Sequence, residues 1–456
     1  MMPLDANTLR RNAAAEQALG MAVQRPADER VVDIARDLIR IPSLTPVSPD
    51  LRPAAAESLV YLRNLLEAAG ATCEWLTFEG GHERWGYPVD NLYAEWGGAG
   101  AGGLCFIGHT DVVPPGDPGA WSGDPFSGSI LNGFLSGRGA TDMKGAVAAF
   151  TVAACEFAAE ARSADRSPRV ALVITTDEEW AAVNGTRRVL EWMQATGRRP
   201  SAFVVGEPSS EEVFGGSIKI GRRGSLCGTL TASGIQGHAA YPGLFENPNR
   251  AITLALAILH SYRWYDAEPG MPATNFETIA MESGDFAATA IVPAKAEALW
   301  NIRFTHHETP SSLTSKLREL LANPPRWAKD HPDARMLRKL RLKANSDTAA
   351  IPYYSPPGAL SSLAKTIVEA RTGREPVLDA KGGTTDGRFV HAVFPQAEII
   401  ELGLPECGGL SRARHADAFG TKGGMHQGDE CCSVKDLQNL MWCYRDLLIA
   451  ICETGP

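Results

Sequence analysis

Residues 170–179 read VALVITTDEE, an apolar and β-branched run that ends in three consecutive acids. Such a run, bounded by polar residues, is typical of a strand buried in the core of a domain. The same order occurs in LCFIGHTD at 104–111 and in AFVVGEP at 202–208. Helical patterns at 144–161 and 185–196 separate these runs. Because strands that alternate with helices tend to pair in parallel, the sequence predicts an α/β fold.

Outward from this centre, apolar spacing at 31–41, 54–69 and 434–452 predicts three more helices that cover the sheet. From about residue 211 the pattern changes to several strand-like runs and two helices, which is typical of a compact α+β domain. We therefore expect a mixed, largely parallel sheet flanked by helices, with an inserted α+β domain. The predicted divisions are an N-terminal arm at 1–30, a first part of the sheet domain at 31–210, the insert at 211–325 and a second part of the sheet domain at 326–456.

The overall charge and composition exclude several classes of protein. The chain has 456 residues, with 44 Lys and Arg against 53 Asp and Glu, and a formal net charge of −9. A nucleic-acid-binding protein needs a basic face, and a disordered chain lacks the hydrophobic content of 44% found here. We expect neither a membrane span nor a secretory signal, because no apolar run has the required length. The nine cysteines form no CxxC pair, which favours a reducing cytoplasm.

Acids and histidines follow the predicted strands at the points where the strands end. His109 and Asp111 follow one strand, the acids at 177–179 follow another, and Glu207 follows a third. In an open α/β sheet, side chains beyond the carboxyl ends of the strands collect at one edge. A histidine can bind a metal there while a nearby acid fixes its second nitrogen. The alternatives are a chance HxD triplet for the first motif and a solvated acidic loop for the second.

Two more candidates lie outside the strands. Asp142 belongs to the turn GRGATDMKG at 137–145, and His426 lies before the C-terminal helix. Asp142 could instead cap the helix that follows it. Taken together, two histidines and several carboxylates without a thiolate suit zinc, manganese or cobalt. Five donors exceed what one catalytic zinc needs, whereas two metals that share a carboxylate would use all of them.

Several motifs resemble those of the co-catalytic zinc aminoacylase/carboxypeptidase family. They are GHTDVVP at 108–114, GRGATDMKG at 137–145, DEE at 177–179, VGEPSS at 205–210, KIGRRGSL at 219–226, QGHAAYP at 236–242 and GGTTDGRF at 382–389. The likeness extends from about residue 31 to 452 and is strongest to the acetylornithine deacetylase and succinyl-diaminopimelate desuccinylase type. It implies a zinc-exopeptidase-like catalytic domain, with the insert as a lid and dimerisation domain.

The resemblance implies a site for two divalent metals, zinc or alternatively manganese or cobalt. Asp142 would bridge the two metals. His109 and Glu207 would complete one site, and Glu179 and His426 the other. Since the bridging aspartate in this family often precedes a cis peptide, we expect a cis bond after Asp142.

The resemblance also implies a metal-dependent hydrolase that cleaves the amide of an N-acyl amino acid, most simply N-succinyl-diaminopimelate. Glu178 would be the general base that takes a proton from a water shared by the metals, and Asp111 would hold His109. His238, in the lid, would reach the neighbouring subunit's active site in a homodimer and stabilise the oxyanion. Spacing alone does not say which of Glu178 and Glu179 is base and which is ligand, because adjacent residues face opposite ways.

The implied substrate is a small molecule with a carboxylate. That carboxylate would meet Arg222 and Arg303 in the lid, and Tyr241 and Thr384 are further candidates for contact. The alternative for each arginine is a structural ion pair.

Four segments depart from the desuccinylase pattern. Trp180 replaces the usual small residue after the paired glutamates, and Thr289-Ala290 replaces two asparagines. The segment 379–381 is not rich in Ser or Thr, and Cys407–Lys422 resembles an insertion, either a pocket rim or a solvated loop. These departures keep two alternatives open. One is hydrolysis of a different C–N bond, in another N-acyl amino acid, a dipeptide or an aryl amine. The other, disfavoured by the filled ligand positions, is a binding protein without metals.

Overall fold

A computed structural model describes residues 25–83, 86–166, 169–346, 349–406 and 423–454. These residues divide into two units. The first unit comprises the described residues within 1–220, 355–379 and 385–456, and the second those within 221–354 and 380–384. The insert is predicted at 211–325, and the observed second unit starts later and extends further along the chain.

The described α-helices, in chain order, are α1 (Ala27–Arg40), α2 (Arg52–Ala68), α3 (Lys144–Ser163), α4 (Thr186–Ala195), α5 (Pro248–Ser261), α6 (Pro310–Ala322), α7 (Arg326–Lys329), α8 (Ala359–Thr372), α9 (Gly387–Val393) and α10 (Val434–Thr454). The described strands are β1 (Thr72–Phe78), β2 (Val89–Trp96), β3 (Leu104–His109), β4 (Ser129–Leu131), β5 (Phe134–Ser136), β6 (Val170–Thr175), β7 (Ala202–Val205), β8 (Ser217–Lys219), β9 (Gly221–Arg222), β10 (Gly224–Ser233), β11 (Gly237–His238), β12 (Asn275–Ser283), β13 (Ile291–Val292), β14 (Lys295–Phe304), β15 (Leu340–Ala344), β16 (Tyr353–Tyr354), β17 (Val377–Asp379), β18 (Glu398–Glu401) and β19 (Cys431–Ser433).

An eight-stranded mixed sheet, in the order β1-β2-β6-β3-β7-β18-β8-β17, forms the centre of the first unit. Strand β3 pairs in parallel with both β6 and β7, and β18 continues the parallel arrangement beyond β7. Every residue of β2, β3, β6 and β7 is buried, as expected of strands that are covered on both faces. The predicted mixed, largely parallel sheet flanked by helices is confirmed.

Helix α3 covers the centre of this sheet. Its first eleven residues, 144–154, are all buried, and most of them are Ala, Gly or Val. Small side chains allow the helix backbone to approach the sheet and α10 closely. Phe150 stacks on Phe106 of β3 with ring centroids 4.4 Å apart, and Tyr444 of α10 packs against both rings. This packing holds α3 against the sheet. The turn that carries Asp142 lies directly before this helix.

The register of the central strands brings three chain segments to one edge of the sheet. His109 lies opposite Thr175 in the β3–β6 pair, and Ile107 lies opposite Val205 in the β3–β7 pair. The chain then leaves β6 into the three acids and leaves β7 toward Glu207. Because parallel strands share a carboxyl edge, the predicted acids and histidine come together there.

The second unit has a four-stranded antiparallel sheet in the order β12-β14-β10-β15, with α5 and α6 on its buried face. Along β14 buried and more exposed residues alternate, and Trp300, Ile302 and Phe304 point into the core. Residues 339–344 are predicted to belong to the sheet domain, whereas the structure pairs β15 with β10 in this second sheet. The apolar pattern at 289–305 predicts one strand. The structure has the separate strands β13 and β14 instead, with Pro293, which lacks an N–H group, in the gap.

Within the described ranges, the helices are all too short or too polar to cross a membrane.

Candidate metal centre

Three ligand-type side chains meet where the central strands end. His109 is the last residue of β3, Glu207 lies just beyond β7, and Asp142 lies in the turn before α3. These side chains are 1%, 8% and 8% exposed. His109 Nε2 lies 3.3 Å from Asp142 Oδ1 and 3.5 Å from Glu207 Oε1. Their ligand atoms are close enough to bind one ion together.

A second group uses the other oxygen of the same aspartate. His426 Nε2 lies 3.2 Å from Asp142 Oδ2 and 3.0 Å from Glu179 Oε2. His426 has a φ of 62°, in the left-handed region that few residues other than glycine adopt. Strained backbone of this kind is frequent at functional sites. The structure thus brings all five predicted metal ligands together as two groups that share Asp142.

The donor set fits divalent metals. His109 Nε2 and Asp142 Oδ1 are buried and have no hydrogen-bond partner among the described residues. Buried polar atoms without partners are rare in folded proteins, and each needs a physical explanation such as a bound ion. Imidazole and carboxylate donors without thiolates are the set that zinc, manganese and cobalt accept in catalytic sites.

The electrostatics of the cluster favour added positive charge. Burial alone lowers the pKa of His109, but the Asp142 and Glu207 carboxylates outweigh it and raise this pKa well above its usual value. Asp142 and Glu179 raise the pKa of His426 to about 10. Burial, together with the charge of Asp142, raises the pKa of both Glu179 and Glu207 to about 7. Divalent cations would relieve this crowding of buried carboxylates.

Glu430, which the sequence analysis does not identify, organises the turn that carries Asp142. Its Oε1 accepts hydrogen bonds from the backbone nitrogens of Gly139 (3.0 Å), Thr141 (3.0 Å) and Asp142 (3.2 Å). Its Oε2 accepts a 2.6 Å hydrogen bond from Arg138, and both side chains are at most 2% exposed. The peptide bond between Asp142 and Met143 is cis, as the resemblance implies. Nothing local in the sequence links Glu430 to a turn almost three hundred residues earlier.

Asp111 supports two parts of the site at once. His109 Nδ1 lies 2.9 Å from the backbone oxygen of Asp111 and 3.6 Å from its carboxylate Oδ1. The Asp111 carboxylate accepts hydrogen bonds from the backbone nitrogens of Glu178 and Glu179, both at 3.2 Å. It also accepts a 3.0 Å hydrogen bond from Thr45. The His109 ring is therefore held mainly by the backbone, while the carboxylate orients the acidic segment.

The three consecutive acids have different surroundings. Asp177 accepts hydrogen bonds from the Tyr87 hydroxyl (2.7 Å) and the Asn184 backbone nitrogen (3.1 Å), so it anchors the segment. Glu179 belongs to the His426 group, whereas Glu178 belongs to neither ligand group. Burial, and then the charge of Glu207, raises the pKa of Glu178 well above its usual value.

The predicted substrate-facing residues His238, Tyr241, Arg222, Arg303 and Thr384 all belong to the second unit. His238 and Tyr241 are exposed, with ring centroids 5.5 Å apart, and His238 Nδ1 accepts a 3.1 Å hydrogen bond from the Ala240 backbone. Arg222 is buried and donates to the Lys381 carbonyl at 2.9 Å. Arg303 is partly buried on β14, opposite Ser225 of β10 and Asn275 of β12.

The departures from the family pattern have different surroundings. Trp180 is 61% exposed, and Thr289 is exposed. Asp379 pairs with the buried Lys219 at 2.7 Å, which gives the altered segment 379–381 a structural role. The Cys407–Lys422 insertion lies outside the described residues.

Comparison with known proteins agrees with this geometry. A model of the peptidase family M20/M25/M40 matches residues 105–450. A curated protein of Rhodospirillum centenum, named succinyl-diaminopimelate desuccinylase, is 42% identical over 421 residues, which cover 91% of this chain and 96% of that protein.

Two solved structures share the fold. An M20 family metallo-carboxypeptidase from Sulfolobus solfataricus has a TM-score of 0.68 at 16% identity, covering 92% of this chain and 98% of that one. A Bacillus subtilis protein described as a dinuclear metal binding peptidase of the M20 family has a TM-score of 0.58 at 16% identity, covering 94% and 99%. At these identities the likeness supports the fold alone.

Proposed function

The chain belongs to the peptidase family M20/M25/M40, and we propose that it hydrolyses the amide bond of an N-acyl amino acid. The proposed substrate is N-succinyl-diaminopimelate, which would give succinate and diaminopimelate. The observation that carries this choice is the 42% identity to a protein of that name, over 96% of its length. The predicted class, a metal-dependent hydrolase, is confirmed by the family match, whereas the substrate is our proposal.

Two divalent metals are proposed as the cofactors, zinc first and manganese or cobalt as alternatives. His109, Asp142 and Glu207 would hold one ion, and Asp142, Glu179 and His426 the other. When bound, such ions polarise a carbonyl group and increase the acidity of water.

Glu178 is the proposed general base. Its carboxylate forms no hydrogen bond within the described residues, and its backbone nitrogen is held by Asp111 at 3.2 Å. Glu178 would take a proton from the attacking water and later deliver it to the departing amine nitrogen. Asp111 would keep both Glu178 and the neighbouring ligand Glu179 in position through their backbone nitrogens.

His238 is proposed to stabilise the oxyanion from the neighbouring subunit. Its exposed position and its Nδ1 bond to the Ala240 backbone leave Nε2 as the nitrogen that can reach substrate. Loss of one oxyanion donor lowers kcat by about 10²–10³-fold in well-studied hydrolases. His238→Ala should therefore lower kcat on this scale and leave the metal content unchanged. A normal kcat would remove His238 from this role.

We propose that the substrate carboxylate meets Arg303 and Arg222, with Tyr241 and Thr384 as further contacts. Arg303 is the stronger candidate, because burial, and then the nearby charge of Arg303, lower the pKa of Arg223, and an anion would relieve the repulsion between the two guanidinium groups. Arg222 is the weaker candidate, because its guanidinium group already donates a hydrogen bond to the Lys381 carbonyl.

The proposed homodimer would form through the second unit. Exposed apolar side chains on β12 and β14 support this proposal: Ile279 is 58% exposed, Met281 56% and Leu299 39%. Apolar residues grouped on adjacent strands commonly mark an interface. Light scattering should give a dimer mass, and Ile279→Glu should give a monomer. A cytoplasmic location is also proposed, which the eight described cysteines, all free thiols, support.

The test of the proposed function is turnover by the purified, zinc-loaded protein. N-succinyl-diaminopimelate would be compared with other N-acyl amino acids, dipeptides and amino-aromatic acids. We expect metal-dependent succinate release with a kcat/KM in the usual enzyme range of about 10⁴–10⁸ M⁻¹s⁻¹. If the protein does not hydrolyse this substrate but does hydrolyse another member of the panel, the proposed substrate is wrong and the assignment as a hydrolase stands.

Hydrolysis of another C–N bond is the second candidate. The observation that favours it is Trp180, a large side chain that is 61% exposed and directly follows Glu179. Trp180→Ala should improve turnover of bulkier acyl groups if the indole limits the acyl pocket.

A further inference from the structure

The second unit carries another cluster of metal-ligand side chains. Glu268, His306 and His307 each offer one ligand atom, and the three atoms lie within 4.8 Å of one another. All three residues belong to the unit formed by residues 221–354 and are separate in sequence from the five ligands described above. His307 Nε2 already lies 2.5 Å from Glu268 Oε1.

Two tyrosines hold the imidazole rings in place. Tyr265 stacks on His307 with centroids 4.6 Å apart and planes at 23°. Tyr354 stacks on His306 at 4.8 Å and 18°, and the two imidazoles themselves lie 3.9 Å apart. The four rings therefore lie in one row, in which the two imidazoles are tilted by 39° to each other. Packing that restricts the rotation of imidazoles lowers the entropy cost of binding a ligand.

The backbone of the cluster is equally well anchored. Glu268 and Met271 exchange two backbone hydrogen bonds of 2.9 Å, which fix the turn that carries the carboxylate. The Thr305 backbone nitrogen donates to Thr274 Oγ1 at 3.2 Å, and the Thr274 hydroxyl donates to Glu308. Thr274 thus ties the segment of Glu268 to the segment of the histidines.

We propose that Glu268, His306 and His307 form a third metal site, for a divalent transition metal such as Zn²⁺ or Cu²⁺. Two imidazoles and one carboxylate match the donor preferences of these borderline ions. Three protein donors leave positions for water, as in exchangeable rather than closed structural sites. The alternative is an exposed histidine–carboxylate pair, since His307 and Glu268 are 36% and 37% exposed. The proposal does not depend on the substrate.

The experiment counts metals bound to the full-length protein after equilibrium dialysis against Zn²⁺. We expect three zinc ions per chain in the wild type and two in both Glu268→Gln and His307→Gln. His331→Gln is the matched control. It removes an exposed histidine of the second unit that lies outside the cluster, so this variant should still bind three zinc ions. Two ions in the wild type, or three in both cluster variants, would overturn the proposal.

A second readout does not require variants of the cluster. The enzyme loaded with two zinc ions per chain receives one equivalent of Cu²⁺, and its electron paramagnetic resonance spectrum should show coupling to two nitrogens. Coupling to one nitrogen or to none would overturn the site, since each ligand group of the first centre contains a single histidine. Asp142→Ala, which removes the ligand residue shared by the two groups of the first centre, should still bind one ion per chain. Loss of that last ion would show that Glu268, His306 and His307 do not bind a metal by themselves, which would overturn the proposal.

Discussion

Two clusters of histidines and carboxylates in this protein differ in how they are built. The first lies at the carboxyl edge of the large sheet, where His109 is 1% exposed and Asp142 8%. The second lies in the smaller unit, where His307 is 36% exposed and its partner Glu268 37%. In the first cluster backbone hydrogen bonds and a buried ion pair hold the ligands, whereas in the second stacked aromatic rings do so.

Because the two clusters differ in burial, their charged groups differ in how much they change the free energy of unfolding. Solvent screens an exposed pair, which contributes about 0–1 kcal/mol, whereas an uncompensated buried charge costs several kcal/mol. The pKa of Glu179 and that of Glu207 rise to about 7 because burial and Asp142 disfavour their charged forms. The comparison indicates that the first cluster depends on its metals for electrostatic balance and that the second does not.

The largest effect is expected where one residue serves two ions. Asp142→Ala should remove both metals of the first centre and abolish hydrolysis, because each ligand group loses the oxygen that Asp142 gives it. Metal analysis and the succinate-release assay measure the two losses. Glu268→Gln is the control in the other cluster and should leave hydrolysis unchanged. Full activity of the Asp142 variant would contradict the assignment of the shared ligand.

Glu178→Gln should separate chemistry from metal binding in the first cluster. We expect kcat to fall by about 10²–10⁴-fold, the usual contribution of a general base. Both metals should remain, since Glu178 belongs to neither ligand group. Glu282→Gln, an exposed glutamate of the second unit, provides the control. An activity within a few-fold of the wild type would exclude Glu178 as the base.

Glu430→Gln tests the ion pair beneath the Asp142 turn. Loss of this carboxylate leaves Arg138, 2% exposed, without its buried partner. Breaking a buried pair in this way costs about 3–5 kcal/mol of unfolding free energy. Urea unfolding of the metal-free protein measures the change. The double variant Arg138→Met/Glu430→Gln should recover part of it, and equal instability of the single and double variants would argue against the pair.

The smallest effect is expected in the second cluster when no metal is present. His307→Gln should change the unfolding free energy of the metal-free protein by less than about 1 kcal/mol, because its pair with Glu268 is solvent-exposed. The same urea experiment compares it with Glu430→Gln. A loss as large as that of the Glu430 variant would mean that the row of rings contributes to the core of this unit.

Local patterns predicted most elements of the large sheet. The apolar run 170–175 and the helix that begins at Lys144 follow the predicted bounds closely, since burial of a strand or helix face leaves a periodic pattern. The pairing of β15 with β10 was not predictable in this way, because a short alternating strand fits either sheet. Glu430 escaped the sequence analysis because its contacts with Gly139 and Thr141 are long-range.

The sequence by itself determined the family, the alternation of strands and helices, and the set of acids and histidines at the strand ends. Those properties are local, since a strand end or a turn motif is encoded by residues that are neighbours in the chain. The family resemblance already implied that Glu179 meets His426, whereas only the tertiary structure showed which carboxylate supports the Asp142 turn. The tertiary structure alone brought Glu268 to the paired histidines, because contacts between distant segments depend on packing and register rather than on spacing.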